Sequence, residues 1–310
     1  MKQRIIIAGP TASGKSTLAV ELAKQIGGEI ISVDSRQCYR QINIGTAKPS
    51  AEQLREVPHF NISILDLDED DSAQRFYNRA ENWALDIEER DKIVIFSGGS
   101  TLHLQSLIRP FDDLPSSNPE NIRELKTEAE QKGVDHLFNK LKSVDPEYAQ
   151  KMDGKNHQRI IRALDVWMQT GKPFSEFHTN ESFTKPENYS VFALHRPRKE
   201  LHKRIELRCD EMIEEGMVDE TRQLLKSGYS ENLQALQTVG YRQVIQYLDG
   251  EIDHEQMIKD FKTATRRYAK RQITWLRRWP FLNWLNCNEL SLSEMVKSIQ
   301  QQVAADVNKR

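Results

Sequence analysis

Gly9, Pro10, Thr11, Ala12, Ser13, Gly14, Lys15 and Ser16 stand in the order G-x-x-x-x-G-K-[ST]. Residues of these types in this order wrap a chain of phosphates. The glycines let successive backbone N–H groups turn into one concavity, and a helix starting where the loop ends adds positive potential. Lys15 would reach the outer phosphates, and the Ser16 hydroxyl would take a magnesium ion. Such a loop specifies a bound diphosphate group and leaves the reaction open. Nucleoside-triphosphate hydrolases add an acid at the end of a second apolar strand. Here the apolar run 92–96 leads into Ser97, Gly98 and Gly99, with no acid. The other candidate is Asp34, directly after the apolar run 30–33. At the carboxyl end of a parallel strand it would line the binding crevice. As a turn or N-cap aspartate it would have only a local structural role.

Two further features ask for an anion. Leu201, Ile205 and Met212 recur at helical spacing, and Arg208 falls on the same stripe. A buried guanidinium needs a negative partner, either a substrate phosphate or a carboxylate of the core. Residues 262–278, KTATRRYAKRQITWLRR, hold seven Lys or Arg and no acid. Met257, Phe261, Ala264, Tyr268 and Trp275 give this segment an apolar stripe, so it reads as one long helix with a basic outer face. That face is the footprint of a polyanion site or, less interestingly, a solvated surface. His59 and His103 are possible site residues, although an isolated histidine commonly serves the core. The eight histidines show no paired metal-ligand spacing, so no protein-bound metal beyond magnesium is expected.

These residues need a scaffold. Short β-branched runs at 5–8, 30–33, 92–96 and 189–194 alternate with helical patterns such as Phe76, Ala80, Trp83 and Ile87. Continuous apolar strands separated by helices predict an α/β fold: a P-loop NTPase-like parallel sheet with helices on both faces. The turn-rich stretch 112–119 leaves that sheet, and short helical patterns follow without a strand. The expected organisation is a core made of 1–114 and 189–310, with basic C-terminal helices, and an all-helical insertion over 115–188. After residue 194 the chain reads as helical almost to its end. The 310 residues carry 44 Lys and Arg against 46 Asp and Glu, which argues against a uniformly basic coat. Cys38, Cys209 and Cys287 are odd in number and scattered, so a disulfide framework is not expected and a reducing compartment is. The early apolar run is too short for a signal peptide or a membrane span.

Taken together, the motifs resemble the bacterial tRNA dimethylallyltransferases, or tRNA isopentenyltransferases. The resemblance is carried by GPTASGKS at 9–16, DSRQCYRQINIGTAKP at 34–49, GGSTLH at 98–103 and NHQRIIRALDV at 156–166. It continues through RCDEMIEEGMVDE at 208–220, TVGYRQ at 238–243 and TRRYAKRQITWLRR at 265–278. Nearly the whole chain is covered, in order. Ser100 departs from the usual threonine of that pattern and His103 from the usual tyrosine. The resemblance implies that residues 9–16 hold the diphosphate of dimethylallyl diphosphate, helped by Arg208 and Mg2+. It implies that Asp34 is the base for the exocyclic amine of the adenosine just 3′ of the anticodon. It implies tRNA contacts at Asp34, Ser35, Arg36 and Gln37, and at Ser100 and Arg123. Further contacts are implied at Gln158, Arg159, Ile160, Ile161 and Arg162, and at Gln237, Thr238, Val239, Gly240, Tyr241 and Arg242. A cytoplasmic monomer acting on the anticodon stem-loop, without a membrane, is the expected form. Lys15, Ser16, Asp34, Ser100 and Arg208 are the expected catalytic set. The rival readings are a small-molecule P-loop kinase and a prenyltransferase for free adenine nucleotides, neither of which uses the basic helix.

Overall fold

The computed structural model describes residues 2–109, 114–152, 154–177 and 184–308. The chain divides into two compact units, Met1–Pro110 with Phe183–Arg310, and Phe111–Ser182. Asp112 and Asp113, part of the expected turn-rich exit from the sheet, lie outside the described residues.

The first unit opens with β1 (Arg4–Ala8), α1 (Lys15–Ile26), β2 (Gly28–Val33), α2 (Ala51–Glu56) and β3 (His59–Phe60). It continues with α3 (Ala73–Glu89), β4 (Ile93–Gly98) and α4 (Thr101–Ile108). The second unit holds α5 (Pro119–Lys132), α6 (Val134–Val144), α7 (Pro146–Gln150) and α8 (His157–Thr170). Back in the first unit come β5 (Tyr189–His195), α9 (Arg198–Glu214), α10 (Met217–Lys226) and α11 (Tyr241–Leu248). The chain finishes with α12 (His254–Leu276), β6 (Asn283–Asn286) and α13 (Leu292–Asn308).

Six strands form one sheet in the order β3-β2-β4-β1-β5-β6, with every pairing parallel. Burial on both faces explains why β1 and β4 are continuously apolar. Ile5 and Ile7 pack under α1 and α13, while Ile6 and Ala8 pack under α3 and α4. Each fully buried isoleucine contributes roughly 1.5–3 kcal/mol, so this strand cannot slip by one residue without inverting both layers. The expected α/β sheet with helices on both faces is therefore the observed one. Two strands differ from expectation. β3 has only two residues, and β6 reads Asn-Trp-Leu-Asn. Both lie at sheet edges, where one face or one ladder suffices and the apolar signal is weak. The stretch beyond β5 is accordingly not helical throughout.

The second unit packs Leu125, Leu137, Leu141, Ile160, Leu164 and Phe174 into its own core. Its buried Asp165 is 0% exposed. That carboxylate accepts hydrogen bonds from Asn118 N at 3.3 Å, Asn121 Nδ2 at 3.2 Å and Gln169 Nε2 at 2.8 Å. It also pairs with Arg162 at 2.7 Å. Three hydrogen bonds and an ion pair are what a buried charge needs.

Candidate active site

The register of the sheet brings three loops level. Ala8 pairs with Gly98, and Gly98 pairs with Val33. The phosphate loop after β1, the turn after β4 and Asp34 after β2 therefore leave the same sheet edge. β4 lies between the other two, which sets Asp34 two strand spacings, about 10 Å, from the start of the phosphate loop. Glycine is required at the middle turn. A Cβ on Gly98 would stand 2.1 Å from the Val33 carbonyl oxygen, and one on Gly99 would stand 2.9 Å from the Gly9 carbonyl oxygen.

The phosphate loop is held from outside by arginines. Ala12 takes φ 60°, a left-handed conformation that L residues adopt at some strain. Its carbonyl accepts from Arg204 Nε at 2.9 Å, and the Ser13 carbonyl accepts from Arg196 Nε at 2.9 Å. Gly14, at φ 101°, then starts α1 without a side-chain cap. Lys15 donates to the Pro10 carbonyl at 2.7 Å. Burial pulls the Lys15 ammonium down to a pKa of about 7, the Arg208 charge adds to this, and Asp34 opposes it. Arg208 Nη1 meets the Thr11 hydroxyl at 3.4 Å. Burial holds the Arg208 pKa below its usual value, with Asp34 again opposing. Among the described residues no carboxylate forms an ion pair with Arg208, so the core-carboxylate alternative for this side chain falls. Two desolvated basic groups without an ion-pair partner among the described residues are where an anion would be stabilised.

Asp34 makes the turn contacts that its sequence position allowed. Its Oδ1 accepts from Arg36 N at 2.8 Å and Gln37 N at 3.3 Å, which fixes the turn after β2. Among the described residues Oδ2 has no hydrogen-bond partner. Ser100 Oγ accepts from Ser35 N at 2.9 Å and lies 3.3 Å from Ser35 Oγ, tying the β4 turn to the β2 turn. Burial, with the Asp34 charge adding to it, pushes the Tyr268 pKa up to about 12. Gln37 is fixed by its amide, which donates to the Thr46 and Ala47 carbonyls at 3.1 and 3.0 Å.

The remaining expected contacts divide by burial. Gln158, Arg159, Gln237, Arg242 and Arg123 are exposed. Thr238 and Val239 are half-buried. Ile160 and Ile161 are 0% and 8% exposed, and Tyr241 is 0% exposed. Tyr241 donates to Glu220 Oε1 at 2.5 Å and accepts from Gly45 N at 3.2 Å. These three side chains are core, which corrects the expectation that they face RNA; they lie on the inward faces of α8 and α11. Arg162 is likewise engaged within its own unit, donating to Ser117, Asp165 and the Pro115 carbonyl. Gly240 takes φ 97° ahead of α11, where a side chain would strike Met217. His59 Nδ1 bonds the Val57 carbonyl at 2.8 Å, so its role is structural. His103 stacks on Phe76 with ring centroids 4.4 Å apart, and burial lowers its pKa to about 4, so the ring is neutral.

Arg196, Arg204 and Gln272 were not expected in this site. Arg204 could have been noticed: it stands four residues before Arg208 on one helix, a repulsive pair unless carbonyls or anions lie beside it.

A phosphate loop, two desolvated basic groups and a carboxylate at the carboxyl ends of a parallel sheet define a P-loop fold. The family profile described as IPP transferase matches residues 37–279, and the chain belongs to this family. The tRNA dimethylallyltransferase of Alkaliphilus oremlandii is 40% identical over 296 residues, 95% of either chain. A second, named tRNA dimethylallyltransferase 1, from Citrifermentans bemidjiense, is 43% identical over 283 residues, 91% of either chain. Among solved structures, the tRNA isopentenylpyrophosphate transferase of Bacillus halodurans matches with a TM-score of 0.74 at 34% identity, covering 100% of this chain and 98% of that one. A eukaryotic dimethylallyltransferase acting on tRNA matches with a TM-score of 0.80 at 29% identity, covering 99% of this chain and 79% of that one.

Proposed function

We propose that the protein transfers the dimethylallyl group of dimethylallyl diphosphate to tRNA, at the exocyclic amine of the adenosine 3′-adjacent to the anticodon, and releases diphosphate. The observation that carries this reading is the pairing of an anion site built from Lys15 and Arg208 with the free Oδ2 of Asp34, one intervening strand away. A hydrolase site would set its acid at the end of β4, where Gly98 and Gly99 stand instead.

In the transfer the allylic C–O bond breaks as the amine nitrogen bonds to the same carbon, and the electron pair leaves with diphosphate. Lys15, Arg208 and the backbone N–H groups of the loop stabilise the charge that grows there. An aromatic amine is a weak nucleophile because its lone pair is delocalised into the ring. Asp34 Oδ2 takes the amine proton as the new bond forms. Ser100 and Ser35 hold the Asp34 turn against the end of β4. Ser16 is exposed at the start of α1, and no group of three or more His, Cys, Asp or Glu could hold a metal among the described residues. That donor set fits a magnesium ion arriving with diphosphate, held by Ser16 and by water rather than by a protein cage. Bound there, the ion would neutralise part of the diphosphate charge. The target base must leave its stack to reach a site at the sheet edge.

Gln158, Arg159, Arg123, Gln237 and Arg242 supply exposed polar contacts for the anticodon stem-loop. On α12, Lys262 pairs with Asp210 and Arg266 with Glu206, whereas Arg267, Lys270 and Arg271 are exposed. The latter three form the phosphate-facing part of that helix. No described helix is long and apolar enough to cross a membrane. The proposed setting is the cytoplasm and the proposed form a monomer.

Incubation with magnesium, dimethylallyl diphosphate and unmodified tRNA, followed by nucleoside mass analysis, tests the reading. A dimethylallyl adduct on adenosine is expected. Sustained ATP turnover with a small acceptor, or equal prenylation of AMP, would replace it with one of the rival activities.

A further inference from the structure

Position 272 lies on the inward stripe of α12, one turn after Tyr268, where the helix packs on the sheet. It is occupied by glutamine, 3% exposed. Both ends of its amide are used. Oε1 accepts from the Thr11 N–H at 2.9 Å, and Nε2 donates to the Gly99 carbonyl at 2.9 Å. An N–H can only donate and a carbonyl can only accept, so a single amide orientation satisfies both partners. The fit is close: a Cβ on Gly99 would stand 2.4 Å from Gln272 Nε2.

The two partners belong to opposite halves of the site. The hydroxyl of Thr11 meets Arg208, on the diphosphate side. Gly99 precedes Ser100, which holds Ser35 beside Asp34, on the acceptor side.

We propose that Gln272 is a positioning residue whose carboxamide sets the spacing between the phosphate loop and the β4 turn. It thereby sets the spacing between the leaving diphosphate and the proton acceptor Asp34. Gln272 acts through Thr11 and Gly99 and touches neither substrate. The inference rests on the transfer reaction proposed above. A group that fixes the approach of two bound reactants acts on the rate of their reaction and leaves the affinity for each one alone.

The test uses the full chain with magnesium, dimethylallyl diphosphate and an unmodified anticodon stem-loop RNA. Single-turnover rate, the dissociation constant of each substrate and melting temperature are measured for wild type, Gln272→Met and Gln272→Glu. Methionine keeps the shape of glutamine without its hydrogen bonds. The folded Gln272→Met protein is expected to lose about 10–10²-fold in rate with both affinities within about threefold of wild type. Gln272→Glu keeps an acceptor for Thr11 but confronts the Gly99 carbonyl with a carboxylate. It is expected to be comparably slow, with diphosphate binding weakened by the added charge and RNA affinity unchanged. It also serves as the readout if the methionine variant does not fold. A wild-type rate in either folded variant would overturn the inference, as would a rate loss in Gln272→Met fully matched by lost diphosphate affinity. An inactive wild type would instead overturn the transfer reading on which the inference stands.

Discussion

The carboxyl edge of the sheet and the helix α8 both carry residues expected to meet substrate, and they are built in opposite ways. At the sheet edge each functional group is fixed by its neighbours. Lys15 is bonded to Pro10, the loop carbonyls to Arg196 and Arg204, Asp34 to its own turn, and Thr11 to Gln272. On α8 the expected contacts alternate with core: Gln158 and Arg159 are exposed, while Ile160 and Ile161 are buried. Bond-making chemistry needs preorganised groups whose charges are partly desolvated. Recognition of a long polyanion can instead be spread over exposed side chains that each contribute little. Single substitutions should therefore be severe at the sheet edge, and on the helices should act through folding or salt dependence.

The largest effect is expected at the phosphate loop. Lys15→Met should reduce prenyl transfer by more than about 10³-fold, because the cation that meets the growing diphosphate charge is gone. A rate assay with saturating tRNA checks this, and residual transfer near wild type would erase the contrast between the two regions. In the helical unit, Ile160→Ala should destabilise that unit by about 2–5 kcal/mol through the cavity it leaves. Diphosphate affinity should be unaffected; thermal unfolding followed beside a diphosphate titration separates the two.

A subtler contrast lies within α12. Neutralising Arg267 and Lys270 together should flatten the slope of log affinity for tRNA against log salt by roughly 0.7–0.9 per charge removed. Lys262 and Arg266, already paired with Asp210 and Glu206, should move it less. Equal slopes for both double variants would mean that the pairing on α9 is irrelevant to RNA.

The smallest effect is a proton. With its pKa at about 7 in the free protein, Lys15 is mostly protonated below that pH and loses charge as pH rises through it. A bound diphosphate favours the ammonium and raises its pKa. Binding above neutral pH should therefore take up a proton, and binding well below it should not. Calorimetry in buffers of different ionisation enthalpy measures the uptake, which Lys15→Met should abolish.

Much of this architecture was legible because strong patterns carried it. The β-branched strands, the glycine–lysine loop and the change of texture beyond residue 112 each follow from a local physical requirement. Asp34 could be placed after β2, and the structure adds its turn contacts with Arg36 and Gln37, while a turn carboxylate and a base look alike in a sequence. The edge strands β3 and β6 were hidden by their brevity and polarity. Ile160, Ile161 and Tyr241 were misread because a matched segment does not say which of its residues face inward. Gln272 was passed over on the stripe running from Tyr268 to Trp275. A polar side chain on such a seam is the trace a buried bridge leaves in a sequence.

Asp34→Asn tests the central claim most directly. The asparagine keeps the turn acceptor for Arg36 and Gln37 but cannot take the amine proton. Single-turnover transfer should fall by about 10²–10⁴-fold, with dimethylallyl diphosphate and tRNA still bound at near wild-type affinity. Near wild-type turnover, or full rescue of the variant by added magnesium, would contradict the assignment of Asp34 as the base.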